Sequence, residues 1–92
     1  MPKTPSPCVG VCRFDRPGPA GRHCRACSMT KAQKRIAKPL RKDRAAMTAF
    51  VALVVAQQAA MGRYRHWPAA YARRCAKKGV AVPETAAAPP QS

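Results

Sequence analysis

Acidic residues are nearly missing from this chain. Asp15, Asp43 and Glu84 are its only carboxylate side chains in 92 residues, against 18 lysines and arginines. They fall in three separate segments, so no carboxylate pair is at hand for general acid–base work. No Ser/His/Asp or Cys/His arrangement suggests a nucleophile either. The pattern therefore points away from an enzyme. Aromatic residues are scarce, with one Trp, two Tyr and two Phe. The N-terminus lacks a charged start followed by an apolar run of about 7–15 residues, which a secretory signal requires. A cytoplasmic location is expected from this, and with it reduced thiols rather than disulfides. Internal repeats and alternating strand patterns are absent too.

What the chain has in excess is positive charge. A formal +15 predicts attraction to polyanions: nucleic acid, anionic lipid or an acidic protein surface. A metal held by four thiolates would offset part of it. Both ends read as disordered, residues 1–7 for their three prolines and residues 83–92 for a Pro/Ala-rich run without periodicity. The remainder makes one small domain. At that size an apolar core is weak, and a staple is usual.

The cysteines are the candidate staple. Cys8-x3-Cys12 is followed after eleven residues by Cys24-x2-Cys27. Two cysteines so closely spaced can turn both sulfurs toward one ion, and two such pairs supply a closed tetrahedral set. That set suits structural zinc, and equally an iron–sulfur cluster. The spacing marks Cys8, Cys12, Cys24 and Cys27 as metal ligands and leaves the choice between zinc and iron–sulfur open. Residues 8–29 read as an irregular metal-binding loop, because Pro17-Gly18-Pro19-Ala20-Gly21 excludes a regular helix or a central strand. Val9, Val11 and Phe14 are expected to form a short extended piece around Cys12. His23 reads as a neighbour of the site rather than a ligand, and Cys75 as a small buried hydrophobe. Cys24-x2-Cys27 is also formally a redox motif, but that version normally opens a helix in a sheet-containing fold.

Downstream the pattern is helical. Thr30-Lys31-Ala32-Gln33 has the form of a capping box, starting a helix over about 30–38 that Pro39 should end. Its expected apolar face is Ala32 with Ile36. Asp43 is the expected N-cap of a long helix over about 44–61, with Met47, Phe50, Val51, Val54 and Met61 at helical spacing and Gln57-Gln58 on the polar side. This helix is near spanning length, but its alanine content, its glutamines and the basic residues at both ends favour a core helix, so no membrane span is expected. A third helix over about 68–78 starts at Pro68 and stops at Gly79, with Tyr64, Trp67 and Tyr71 covering the long helix. The fold expected is mainly α: an irregular four-cysteine metal-binding loop followed by a compact three-helix arrangement.

An alternative use of the charge is nucleic-acid binding by a zinc-knuckle-like protein. Lys34, Arg35, Lys38, Arg41 and Lys42, with Arg63, Arg65, Arg73 and Arg74 as a second patch, would hold phosphates while Tyr64 and Trp67 stack on bases.

The run Ser6-Pro7-Cys8-Val9-Gly10-Val11-Cys12-Arg13-Phe14-Asp15, then Cys24-Arg25-Ala26-Cys27 and a threonine-capped helix, resembles a family of small bacterial proteins of unknown function. That family, of the YdhL type, is described as predicted iron–sulfur proteins. The similarity covers about residues 6–60. It implies that Cys8, Cys12, Cys24 and Cys27 are the metal or cluster ligands. Many members carry an acidic–apolar first helix ending in Trp, whereas here that helix is basic and runs into Lys38-Pro39. The helix from Pro68 has no counterpart in the short members.

Overall fold

A computed structural model describes residues 3–10, 13–18, 21–62 and 65–86 of the chain. Among these residues the element order is β1 (Arg16–Gly18), β2 (Gly21–His23), α1 (Lys31–Leu40), α2 (Arg44–Met61), α3 (Trp67–Lys78) and a short 3-10 turn at Glu84–Ala86. The protein is mainly helical, with one small two-stranded sheet. β1 and β2 pair antiparallel, Arg16 opposite His23 and Gly18 opposite Gly21. A two-stranded ribbon has only edges, which is why a proline at position 17 is tolerated in it. Gly18 lies so close to the His23 ring that a Cβ there would fall 2.6 Å from its Cδ2 atom. Val9 and Phe14 lie outside the strands and pack, partly buried, against the core; Val11 falls outside the described residues.

The capping box forms as its residue pattern predicts. Gln33 N–H donates to Thr30 Oγ1 (3.1 Å) and Thr30 N–H to Gln33 Oε1 (3.0 Å). The helix runs past the expected stop at Lys38, through Pro39 to Leu40. Pro39 sits in the last turn, where its missing N–H removes a single bond, and the turn then closes through Arg41 N–H to Lys38 and Lys42 N–H to Pro39. Its inward face also differs from expectation. Ala37 is buried and Gln33 and Leu40 are half-buried, while Ala32 is exposed and Ile36 is 53% exposed.

α2 forms over the expected span, with the Asp43 carboxylate accepting from Ala46 N–H at 3.1 Å. Met47, Val51, Val54 and Val55 are buried along one stripe. Gln58, expected on the polar side, is buried with them. Leu53 is 51% exposed instead. At the C-terminal end Arg16 donates to the carbonyls of Met61 and Gly62, satisfying orphan acceptors where a cation also complements the helix dipole. By length and composition α2 is the one helix among the described residues able to cross a membrane.

α3 has Pro68 in its first turn and ends at Gly79 in the left-handed region, φ 70°. Gly79 N–H bonds Ala76 and Val80 N–H bonds Cys75, and Val80 is buried beneath this stop. Trp67 and Tyr71 stack one turn apart, ring centroids 4.9 Å and planes 8° from parallel.

Both ends depart from the disordered reading. Thr4, Pro5, Ser6 and Pro7 are buried. Trp67 Nε1 donates to the Pro7 carbonyl (2.8 Å), the Tyr71 hydroxyl to Pro5 (2.7 Å) and Arg74 to Ser6 (3.0 Å) and Cys8. A proline-rich segment without an apolar run still carries backbone acceptors, and α3 supplies the donors. At the other end the Glu84–Ala86 turn packs on α2, and Ala86 is buried. Of the expected tail, residues 87–92 lie outside the described set.

Candidate metal centre

The Cys24-x2-Cys27 pair forms a tight knuckle. Cys24 N–H bonds the Met29 carbonyl (2.7 Å) and Ser28 N–H bonds the Cys24 carbonyl (2.8 Å), curling the chain around the two thiols. Ser28 closes this turn with φ 71°, the only positive φ outside glycine among the described residues. That conformation costs a residue with a Cβ about 1–2 kcal/mol. Hydrogen bonds of Ser28 offset part of it: its hydroxyl donates to the Val54 carbonyl (3.2 Å), and its backbone carbonyl accepts from His23 Nδ1 (2.6 Å) and Gln57 Nε2 (3.2 Å).

Hydrogen bonds set the charge of the pair. The Cys27 thiol donates to Cys24 Sγ, with further donors from the backbone N–H groups of Cys27, Arg13 and Ala26; these outweigh burial and lower Cys24 to about 5. Cys27, having given its proton toward Cys24 and lying buried, is pushed strongly up, although Met29 N–H points at it. The hydrogen bond thus favours the thiolate form of Cys24 and the thiol form of Cys27, both nearly inaccessible to solvent. Backbone donors aimed at a cysteine sulfur from two and three residues downstream are the kind of outer contact that orients a metal-bound thiolate.

One helix holds the knuckle in place and another the segment that carries Cys8. From α2, buried Gln58 donates Nε2 to the Cys27 carbonyl (3.1 Å), and Gln57 reaches Ser28 and Gln33. The Gln58 Oε1 atom is buried with no hydrogen-bond partner among the described residues. From α3, Trp67 and Arg74 hold Pro7 and Cys8 as described above. Neither glutamine was legible as a site residue. The adjacent pair looks like the polar side of an amphipathic helix, and only the packing of α2 on residues 26–29 turns Gln58 inward.

Of the four expected ligands, Cys24 and Cys27 are in mutual contact, and Cys8 is near enough to act electrostatically on Cys27. Cys12 lies outside the described residues. Among those residues no three His, Cys, Asp or Glu side chains close into a metal-holding group. The donor chemistry of the knuckle fits a thiophilic ion or cluster, and the first pair would have to supply the other two sulfurs. His23 is fully buried, with Nδ1–H committed to the Ser28 carbonyl, consistent with its reading as a neighbour. Cys75 is buried on α3 beside Tyr71; desolvation raises both groups. It behaves as the small core residue its position suggests.

The basic residues divide. Lys34, Arg35, Lys38, Arg41 and Arg74 line a cleft of about 730 Å³ between α1 and the N-terminal segment, together with Lys31, Phe14 and Cys8. Lys42, Arg65 and Arg73 are exposed and lie outside this lining; Arg63 and Tyr64 fall outside the described residues. Trp67 is fully buried and has no face to offer a base. The ring in the basic cleft is Phe14, with Lys31 Nζ 5.7 Å from its centroid.

No family model, curated protein or solved structure matches this chain.

Proposed function

We propose that this chain is a small basic metal-binding module. In this reading Cys8, Cys12, Cys24 and Cys27 hold a zinc ion or an iron–sulfur cluster, and the protein serves as a cytoplasmic, non-enzymatic accessory or interaction module. We place it with the small bacterial four-cysteine proteins it resembles. The observation that carries the reading is the Cys24–Cys27 knuckle. A buried thiolate with backbone N–H groups aimed at its sulfur is charge stabilised for a ligand, and its thiol neighbour needs only to lose one proton to become the second. Cys8 acts on Cys27 electrostatically, and Cys12 is the proposed fourth ligand.

Bound metal would supply a cross-link between the N-terminal segment and the knuckle. The chain's own residues do the rest. Trp67 and Arg74 position the backbone at Cys8, Gln57 and Gln58 position the carbonyls of Ser28 and Cys27, and burial keeps water from Cys24 and Cys27. α2 serves here as the core helix against which the site is built.

The test is elemental analysis with an absorption spectrum after anaerobic purification. Iron, sulfide and broad visible absorbance identify a cluster; one zinc in a colourless protein identifies a structural ion. Cys24→Ser should lower the metal content in either case. Protein that is folded and carries neither metal rejects the proposal.

A further inference from the structure

The cleft between α1 and the N-terminal segment has no acidic group in its lining. Six cations line it: Lys31, Lys34, Arg35 and Lys38 from α1, Arg41 at its C-cap, and Arg74 from α3. Its volume of about 730 Å³ lies within the range of small-ligand sites, roughly 300–1,000 Å³. We propose that this cleft binds single-stranded nucleic acid, with the α1 cations following successive phosphates and Phe14 offering its ring to a base. This goes beyond metal binding and does not depend on which ion the cysteines hold.

Three observations favour a strand over other polyanions. First, the α1 cations recur along one face at positions 31, 34, 35, 38 and 41. Charge thus repeats about every 5.4 Å over about 15 Å of helix. A line of cations suits a chain of phosphates, whereas a compact di- or triphosphate would engage one turn. Second, the cleft also holds apolar surface and an aromatic ring. Val9, Gly10 and Phe14 line it together with the cations, which matches a ligand that carries both phosphates and flat bases. A duplex turns its bases inward and offers Phe14 nothing to stack on. Third, the lining is held by hydrogen bonds. α1 is fixed by its capping box, and Arg74 is held by the carbonyls of Ser6 and Cys8. Lys31 already sits over the Phe14 ring. A stacking base would take that place and release the ammonium to a phosphate.

The experiment is a salt titration of the purified protein against labelled oligothymidylate, with a hairpin duplex as comparison. Binding through three or four phosphates gives a slope of log K against log salt of about −2 to −3, at about 0.7 per phosphate for single strands. Arg35→Gln with Lys38→Gln should cut that slope by about 1.4. Both residues are exposed, so the fold is not at risk. Lys77→Gln with Lys78→Gln removes equal charge from the exposed end of α3 and should leave the slope unchanged. Phe14→Leu should weaken binding about five- to a hundredfold. The proposal is overturned by no binding at low salt, equal losses from the two charge pairs, equal affinity for the duplex, or displacement of the oligomer by tripolyphosphate at matched phosphate concentration. The charge variants leave all cysteines in place, so metal content measured on the same samples separates this result from the fate of the metal proposal.

Discussion

The indole N–H of Trp67 bonds the Pro7 carbonyl at 2.8 Å, across 60 positions of sequence. The first residue of α3 thus holds the residue directly before the first cysteine. Both partners are buried, so the bond has no competition from water.

Trp67→Phe should therefore cost about 1–3 kcal/mol, the penalty for leaving a buried carbonyl without its donor. The smaller ring also leaves a void at a fully buried position, so lost packing adds to the loss of the hydrogen bond. Denaturant unfolding followed by circular dichroism measures the loss, since the variant lacks the chain's one tryptophan. The same variant should speed thiol labelling at half-buried Cys8, because residues 4–8 lose an anchor. Unchanged labelling would mean that Tyr71 and Arg74 hold the segment by themselves.

Gln58 offers a sharper comparison. Its amide nitrogen serves the Cys27 carbonyl, while its oxygen is buried without a partner among the described residues. Gln58→Met removes both the donor and the stranded acceptor, and these changes oppose each other at about 1–3 kcal/mol apiece. The expected net effect is within about 1 kcal/mol of zero. Gln58→Glu places a carboxyl group in the same buried position and should be strongly destabilising at neutral pH. Two equally severe variants would show that the bond to Cys27 dominates.

Ser28 tests the backbone of the knuckle. Ser28→Gly relieves the positive φ but loses the bond to Val54, so its effect should be small. Ser28→Val keeps the strain, adds a branched Cβ and loses the same bond; a loss of about 2 kcal/mol or more is expected. Thermal melts of the two variants should differ clearly, and equal melting temperatures would contradict the turn geometry.

The pH profile of the metal-free protein follows from the knuckle. Cys24 falls from an ordinary 9.0 to about 5. Its stabilising contribution is complete above 9, present in part between, and lost as pH falls through about 5. Cys27 is shifted the other way, so its contribution is full below 9 and declines above it. Stability of the chelator-treated protein should rise from about pH 5 toward 9 and then fall. With three carboxylates in the whole chain, the acid-side loss has few other sources. Thiolate absorbance near the same midpoint, moved upward by Cys27→Ala, is the direct check. A flat profile across this window would contradict the assignment.

Metal removal tests the cross-link. Chelation, or Cys12→Ser, should loosen residues 3–28 while α2 retains its helicity, because α2 is stabilised by packing of its apolar stripe. Hydrogen exchange resolves the two regions. Unchanged melting temperature for Cys12→Ser would count against a structural role for the ion.

Local rules account for much of what was readable. Thr30 and Gln33 cap α1 and Asp43 caps α2 because a side-chain oxygen three residues before a free N–H needs no distant partner. Gly79 ends α3 for an equally local reason, and the Met47–Val51–Val54 stripe follows from helical period. The basic face of α1 is legible in the sequence, but Phe14 as its companion ring is not: the sequence points to Tyr64 and Trp67, and Trp67 is buried under the N-terminal segment. Spacing alone pairs Ala32 with Ile36 on one face of α1, and the rotation that turns Gln33 and Ala37 inward instead is set by contact with α2.

The sequence by itself determined three helices, their caps and a close pair of thiols at Cys24 and Cys27, since each depends on neighbours within a few positions. Only the tertiary structure decided that Thr4–Pro7 is buried, that Gln58 faces inward and that Lys31 to Arg41 share a cleft with Phe14. Those outcomes depend on donors and acceptors far apart in the chain. Composition records that such groups exist, and packing determines which of them meet.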